Sequence, residues 1–140
     1  MNVVKRPLVC VQGLGYVGAA MAICVASVKG VDGEPLFDVV GMDLATEKGN
    51  HRVDELNNGR FPFKTLDKSL INNAKKCISQ GNLYATTDAS VLKNVNIVVV
   101  DVQLDIRVLS GNEYDADLAP LRAAVTTLGR FLKKGALVIV

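Results

Sequence analysis

The chain alternates between short, unbroken apolar runs and longer stretches in which apolar residues recur every three or four positions. Leu8 to Val11 is such a run and stops at Gln12-Gly13; Asp38 to Met42, Leu83 to Thr86, Asn96 to Val102 and Ala136 to Val140 are others. β-Branched residues without polar interruption suit strands buried on both faces of a parallel sheet. Between them, Ala19 to Val28 is apolar on every face, a pattern that predicts a helix covered all round and ended by Lys29-Gly30. A helix is predicted from the segment after Asp43 to Leu56, stopping at Asn57-Asn58-Gly59. Thr65 to Gln80 repeats Leu66, Leu70, Ile71, Ala74, Cys77 and Ile78 at helical spacing. Thr87 or Asp88 can cap a short helix through Leu92. Asp117 can cap Leu118 to Leu132, with Pro120 in the first turn, where a missing N–H costs nothing. The order β-α-β-α-α-β-α-β-α-β predicts an α/β, Rossmann-type doubly wound parallel sheet of about five strands in the order 3-2-1-4-5.

The first apolar run ends in G-L-G-Y-V-G, so that Gly13, Gly15 and Gly18 stand at the spacing G-x-G-x-x-G between a strand and a helix. This is the context in which that spacing binds a dinucleotide. Gly13 would turn the chain sharply, Gly15 would let a pyrophosphate approach the backbone, and Gly18 would let the helix lie close to the sheet. The helix N-terminus would offer free N–H groups and the positive end of its dipole. The second strand ends in Asp43, placed to accept from a ribose 2′-hydroxyl and to repel a 2′-phosphate. It comes later than the usual ~20 residues after the glycines, a delay explained by a surface insertion, V-D-G-E-P-L-F, before the strand. Lys48 and Arg52 follow, within reach of an adenosine held there. The polar loop Gln103 to Asp115 would hang over the cofactor at the switch point of the sheet. For Asp101, Asp105 and Arg107 within or beside that loop, a capping Asp and a surface ion pair are the expected roles.

Composition narrows the picture. A chain of 140 residues, 49% hydrophobic and 21% charged, is one ordinary globular domain, and a net charge of +2 points to no nucleic-acid or anionic membrane partner. Leu8 to Val28 carries no charge and follows Lys5 and Arg6, which imitates a targeting segment. Its glycines and Gln12 fit a strand-turn-helix instead, and the expected location is cytoplasmic. Cys10, Cys24 and Cys77 lack metal-ligand spacing; Cys10 and Cys24 are expected to be small buried hydrophobes. His51 is expected to be solvated.

Five ordered motifs resemble the N-terminal cofactor domain of the UDP-glucose/GDP-mannose dehydrogenase family. They are G-x-G-Y-V-G at Gly13 to Gly18; V-G-x-D at Val40 to Asp43; L-N-x-G-x-x-P at Leu56, Asn57, Gly59 and Pro62; G-N-L-x-A-T-T-D at Gly81 to Asp88; and L-K-K-G-x-L-V at Leu132 to Val138. The resemblance implies NAD as cofactor. It also implies oxidation of the C6 alcohol of a nucleotide sugar to a carboxylate in two hydride transfers, making uronic acids for polysaccharide. By position, Gly13, Gly15, Tyr16, Val17, Gly18 and Asp43 should hold NAD, with Val102 at the end of the fourth strand. The family's basic residue maps to Lys48 counting from Asp43, or to Arg52 counting back from Leu56. The chain departs from the family where Val102-Gln103-Leu104-Asp105 replaces V-x-T-P, after Pro62 where Glu-Pro is missing, and in extra residues between Asp43 and Leu56. Because the family's nucleophilic cysteine and catalytic lysine lie in a substrate domain, residues 1–140 are expected to be an NAD-binding fragment without catalytic residues of its own. Its expected partners are NAD, a nucleotide sugar in the full-length parent, and further copies in a homo-oligomer. A non-catalytic NAD-sensing regulatory domain is the alternative, and a methyltransferase a third possibility. The T-T-D and L-N-x-G motifs separate the first reading from the sensors.

Overall fold

The computed structural model describes residues 5–109, 111 and 113–140. Strands β1 (Leu8–Gln12), β2 (Asp38–Met42), β3 (Leu83–Thr86), β4 (Ile97–Val100) and β7 (Leu137–Ile139) form one sheet in the order β3-β2-β1-β4-β7. Every neighbouring pair in it is parallel. The predicted order is therefore observed, with β7 in the fifth place. Helices α1 (Tyr16–Ala26), α2 (Glu47–Asn57), α3 (Lys68–Gln80) and α4 (Ala119–Phe131), with a 3-10 turn at Ala89–Asn94, flank it.

Alternation along the strands divides the core in two. Val9, Val11, Val39, Leu83 and Ala85 face α1, α2 and α3. Cys10, Val40, Met42, Val98 and Val100 face the 3-10 turn and α4. Burial pushes the Cys10 thiol up to about 12, so it behaves as an inert apolar group.

Several motif residues prove to be structural. The Asn57 amide donates to the Ala85 carbonyl (2.9 Å) and accepts from its N–H (2.7 Å), completing the outer edge of β3 from the end of α2. Gly59 takes φ +71° and lies so close to α3 that a Cβ would come within 3.2 Å of Lys75 Cα. Asn82 Nδ2 donates to the carbonyls of Ala26 and Phe37, tying the end of α1 to the entry of β2. Asp88 caps the 3-10 turn, and the hydrogen bonds it accepts from the Ser90 hydroxyl and the Ser90 N–H hold its carboxyl below the ordinary range.

Some expectations are corrected. α1 starts three residues early, at Tyr16, and ends at Ser27 in right-handed backbone rather than at Gly30. Gly30 instead opens the inserted turn, where Lys29 and Pro35 form an antiparallel bridge. The outer side of α1 is uncovered: Val17 and Cys24 are exposed, so Cys24 is not the buried hydrophobe expected, whereas Cys10 and Cys77 are buried. α3 begins after Thr65 and Leu66 because Asp67 caps it through the N–H groups of Ser69 and Leu70, which leaves Leu66 in solvent. In the Gln103 to Asp115 segment and the residue after it, β5 (Ile106–Val108) pairs antiparallel with β6 (Tyr114–Ala116), a pairing the polar composition concealed. Positions 110 and 112 of that segment lie outside the described residues. Among the described residues no helix is long and apolar enough to cross a membrane.

β7 forms an edge of the sheet, and Leu137, Val138 and Ile139 are 38–55% exposed. An uncovered apolar edge strand invites pairing with another chain. Light scattering across a dilution series is therefore expected to show self-association of this 140-residue chain. A monomer at millimolar concentration would overturn that expectation.

Candidate cofactor site

The site lies where β1, β2 and β4 end. Gly13 leaves β1 with φ +100°, and a Cβ there would lie 2.0 Å from the Asp101 carbonyl oxygen, so the turn is wedged against the end of β4. Gly18 is needed for a reason different from the one expected. Its close neighbour is the turn itself, since a Cβ would lie 1.9 Å from the Gly13 carbonyl oxygen and 2.8 Å from Asp101 Oδ2. Gly15 faces open space, with nothing within 4 Å of a Cβ position, and no side chain caps the helix that it begins. The unbonded N–H groups of the first turn of α1 are thus presented, with the dipole, beside a glycine that leaves the approach clear.

At the end of β2, Asp43 Oδ1 accepts from the Leu44 N–H at 2.8 Å and Oδ2 accepts from Arg52 Nη1 at 3.2 Å. The loop that turns Asp43 into α2 is closed by Thr46, which caps the helix through the Gly49 N–H. Gly49 packs so tightly that a Cβ would lie 1.9 Å from the Leu44 carbonyl oxygen. Arg52 also lies over the Phe63 ring, 5.5 Å from its centroid. Phe63 in turn touches Tyr16, which meets Phe61 edge-on at 5.1 Å and hydrogen-bonds Thr65 Oγ1 at 3.3 Å. One chain of contacts therefore connects the first turn of α1 to the carboxylate of Asp43. The F-P-F triplet after Gly59 was the available signal for it, and sequence reasoning passed over it.

These elements surround a cleft of about 700 Å³ whose lining includes Gly13, Gly15, Tyr16, Val17, Asp43, Arg52 and Val102. Gly18 shapes the turn from beneath and does not line it. Of the two basic candidates, Arg52 reaches the cleft; Lys48 is exposed on α2 and is not part of the lining. Asp101 lines the cleft and neither caps a helix nor forms an ion pair among the described residues. The surface ion pair of the following loop joins Arg107 to Asp117 at 3.6 Å. Sequence reasoning assigned no role here to Gln12, Thr87 or the small residues Ala123, Ala124 and Thr127 of α4, which also line the cleft. A smaller cavity of about 290 Å³ lies at the opposite ends of the strands, beside Leu8 and Asp38. His51 is exposed, and no cluster able to hold a metal occurs among the described residues.

The cleft fits a dinucleotide. Uncapped N–H groups, an unobstructed glycine, a carboxylate at the end of the second strand and apolar walls follow one another along it.

Comparison with known proteins agrees. The family model for the UDP-glucose/GDP-mannose dehydrogenase family, NAD binding domain, matches residues 7–140. The UDP-N-acetyl-D-mannosamine dehydrogenase of Pyrococcus horikoshii is 32% identical over 132 residues, which are 94% of this chain and 27% of that protein. A solved structure of the UDP-D-ManNAc dehydrogenase from Pyrococcus horikoshii superimposes with a TM-score of 0.72 at 31% identity, covering 94% of this chain and 27% of that one. In fold alone, the NDP-N-acetyl-D-galactosaminuronic acid dehydrogenase of Methanosarcina mazei Go1 has a TM-score of 0.81 at 24% identity, over 96% of this chain and 27% of that one. This chain thus spans about a quarter of the length of these relatives.

Proposed function

The chain belongs to the UDP-glucose/GDP-mannose dehydrogenase family as an NAD-binding domain, and we propose that it is the cofactor half of a nucleotide-sugar 6-dehydrogenase. In this reading the whole enzyme oxidises the C6 alcohol of a UDP- or GDP-sugar to a carboxylate, making uronic acids for polysaccharide. The sugar-binding and catalytic groups would come from residues outside these 140. NAD, when bound, supplies the hydride acceptor for such an oxidation.

The observation that carries the reading is the order of groups along the cleft. The N–H groups of the first turn of α1 would bind the pyrophosphate, with Gly15 leaving room for it. Asp43 would accept from the adenosine ribose, using lone pairs left free by Leu44 and Arg52. Tyr16 and Val17 would wall the phosphates, and Val102 would stand toward the nicotinamide end. There Leu104 and Asp105 occupy the place of the family's threonine and proline, so that end is built differently from the usual pattern.

Calorimetric titration with NAD, beside NADH absorbance assays with a panel of UDP- and GDP-sugars, tests this. The expected result is NAD binding without turnover by these residues alone. Absence of binding would overturn the cofactor reading. Sustained turnover would place the chemistry in the 103–115 segment.

A further inference from the structure

Gln12 is the last residue of β1, and its side chain occupies a place that packing does not explain. It falls on the sheet face whose other buried strand residues, Cys10, Val40, Met42, Val98 and Val100, are all apolar. It is 7% exposed, yet it lines the cleft. Its Nε2 donates to the Ala124 carbonyl on α4 at 3.3 Å, which orients the amide and leaves Oε1 as an acceptor without a partner among the described residues. A buried acceptor without a donor costs about 1–3 kcal/mol, a cost that leucine or methionine would avoid at this position. An acceptor without a partner, on a buried side chain that lines a ligand cleft and is oriented by its own amide hydrogen bond, is instead what donor recognition requires.

The donors of a dinucleotide are few. Ribose hydroxyls belong with Asp43, the residue that follows Met42, and Met42 is the partner of Gln12 in the β1–β2 register. The hydroxyls of the nicotinamide ribose and the carboxamide belong toward Val102, beyond the end of β4. The remaining donor is the exocyclic amine of adenine, a flat base suited to the apolar walls made by Met42, Ala89, Pro120 and Ala123. We propose that Gln12 Oε1 accepts a hydrogen bond from that amine, so that Gln12 selects adenine against a base bearing a carbonyl in its place. This rests on the NAD reading of the cleft.

The test is calorimetry with NAD and with its hypoxanthine analogue, in which a carbonyl replaces the amine. The native chain is expected to bind NAD roughly tenfold more tightly, since the analogue both loses a hydrogen bond and sets two acceptors face to face. In Gln12→Met and Gln12→Leu, checked for folding by circular dichroism, the preference is expected to fall to within about twofold. Equal binding of the two dinucleotides by the native chain would overturn the proposal, because a water would then be satisfying Oε1. A preference that survives in folded variants would overturn it equally. Should neither variant fold, the comparison on the native chain still decides. Absence of NAD binding altogether would defeat the cofactor reading and this proposal with it, and is distinguishable from binding without discrimination.

Discussion

Replacing Gly18 by alanine is expected to destabilise the domain by at least about 3 kcal/mol, lowering the melting temperature by about 10 °C or more. Helix propensity alone predicts the opposite sign, since alanine is better than glycine inside a helix by about 1 kcal/mol. The methyl group, however, would sit 1.9 Å from the Gly13 carbonyl oxygen. That oxygen is backbone, and its own residue is wedged against the carbonyl of Asp101 at the end of β4. Neither side can yield without moving the junction of β1 and β4 at the centre of the sheet. Gly15→Ala is the control. Gly15 has ordinary extended backbone, φ −60° and ψ −175°, and nothing within 4 Å of a Cβ position. Its stability should change by no more than about 0.5 kcal/mol, while NAD affinity falls about tenfold or more as the methyl enters the phosphate approach. Thermal melts and NAD titrations of both variants check the pair. A Gly18→Ala protein that melts like the native chain would show that the turn is not the rigid element described above.

The contrast shows what the sequence made legible and what it did not. The fold could be read because continuous β-branched strands and one right-handed crossover rule leave few topologies. The glycines could be read as a site because their spacing follows a strand. Spacing does not say which atom each glycine avoids, so Gly18 was assigned to helix–sheet packing and turned out to contact the turn. Side-chain direction was also hidden. Lys48 and Arg52 lie four apart on α2, on neighbouring positions of the helix, and only packing against Phe63 shows that Arg52 is the one brought to Asp43. Cys24 reads as buried because an apolar helix is expected to be covered on every side, whereas the outer side of α1 is open. In the sequence Gln12 speaks only against a targeting segment, since a lone glutamine at the end of an apolar run reveals its orphaned oxygen only once α4 is in place.

Asp43→Ala is expected to weaken NAD by about 10–100-fold and to reverse the preference between NAD and NADP. The first effect is the loss of charge-assisted hydrogen bonds to the ribose, worth about 1.5–3 kcal/mol. The second follows from Arg52. In the native chain its guanidinium is committed, 3.2 Å from Asp43 Oδ2 and resting on Phe63, so an incoming 2′-phosphate would meet the carboxylate with this adjacent cation already paired. Removing the carboxylate leaves that cation unpaired at the ribose edge. Arginine binds phosphate in a bidentate fork, so NADP should gain while NAD loses. The double variant Asp43→Ala/Arg52→Ala separates the two effects: it should keep the loss of NAD affinity and lose the gain of NADP. Titrations at low and at 0.5 M salt add an independent sign, because the NADP gain is charge-driven and should shrink with screening. If Asp43→Ala binds NAD as the native chain does, the ribose is held elsewhere. If NADP gains in the double variant as well, Arg52 is not the group that receives the phosphate.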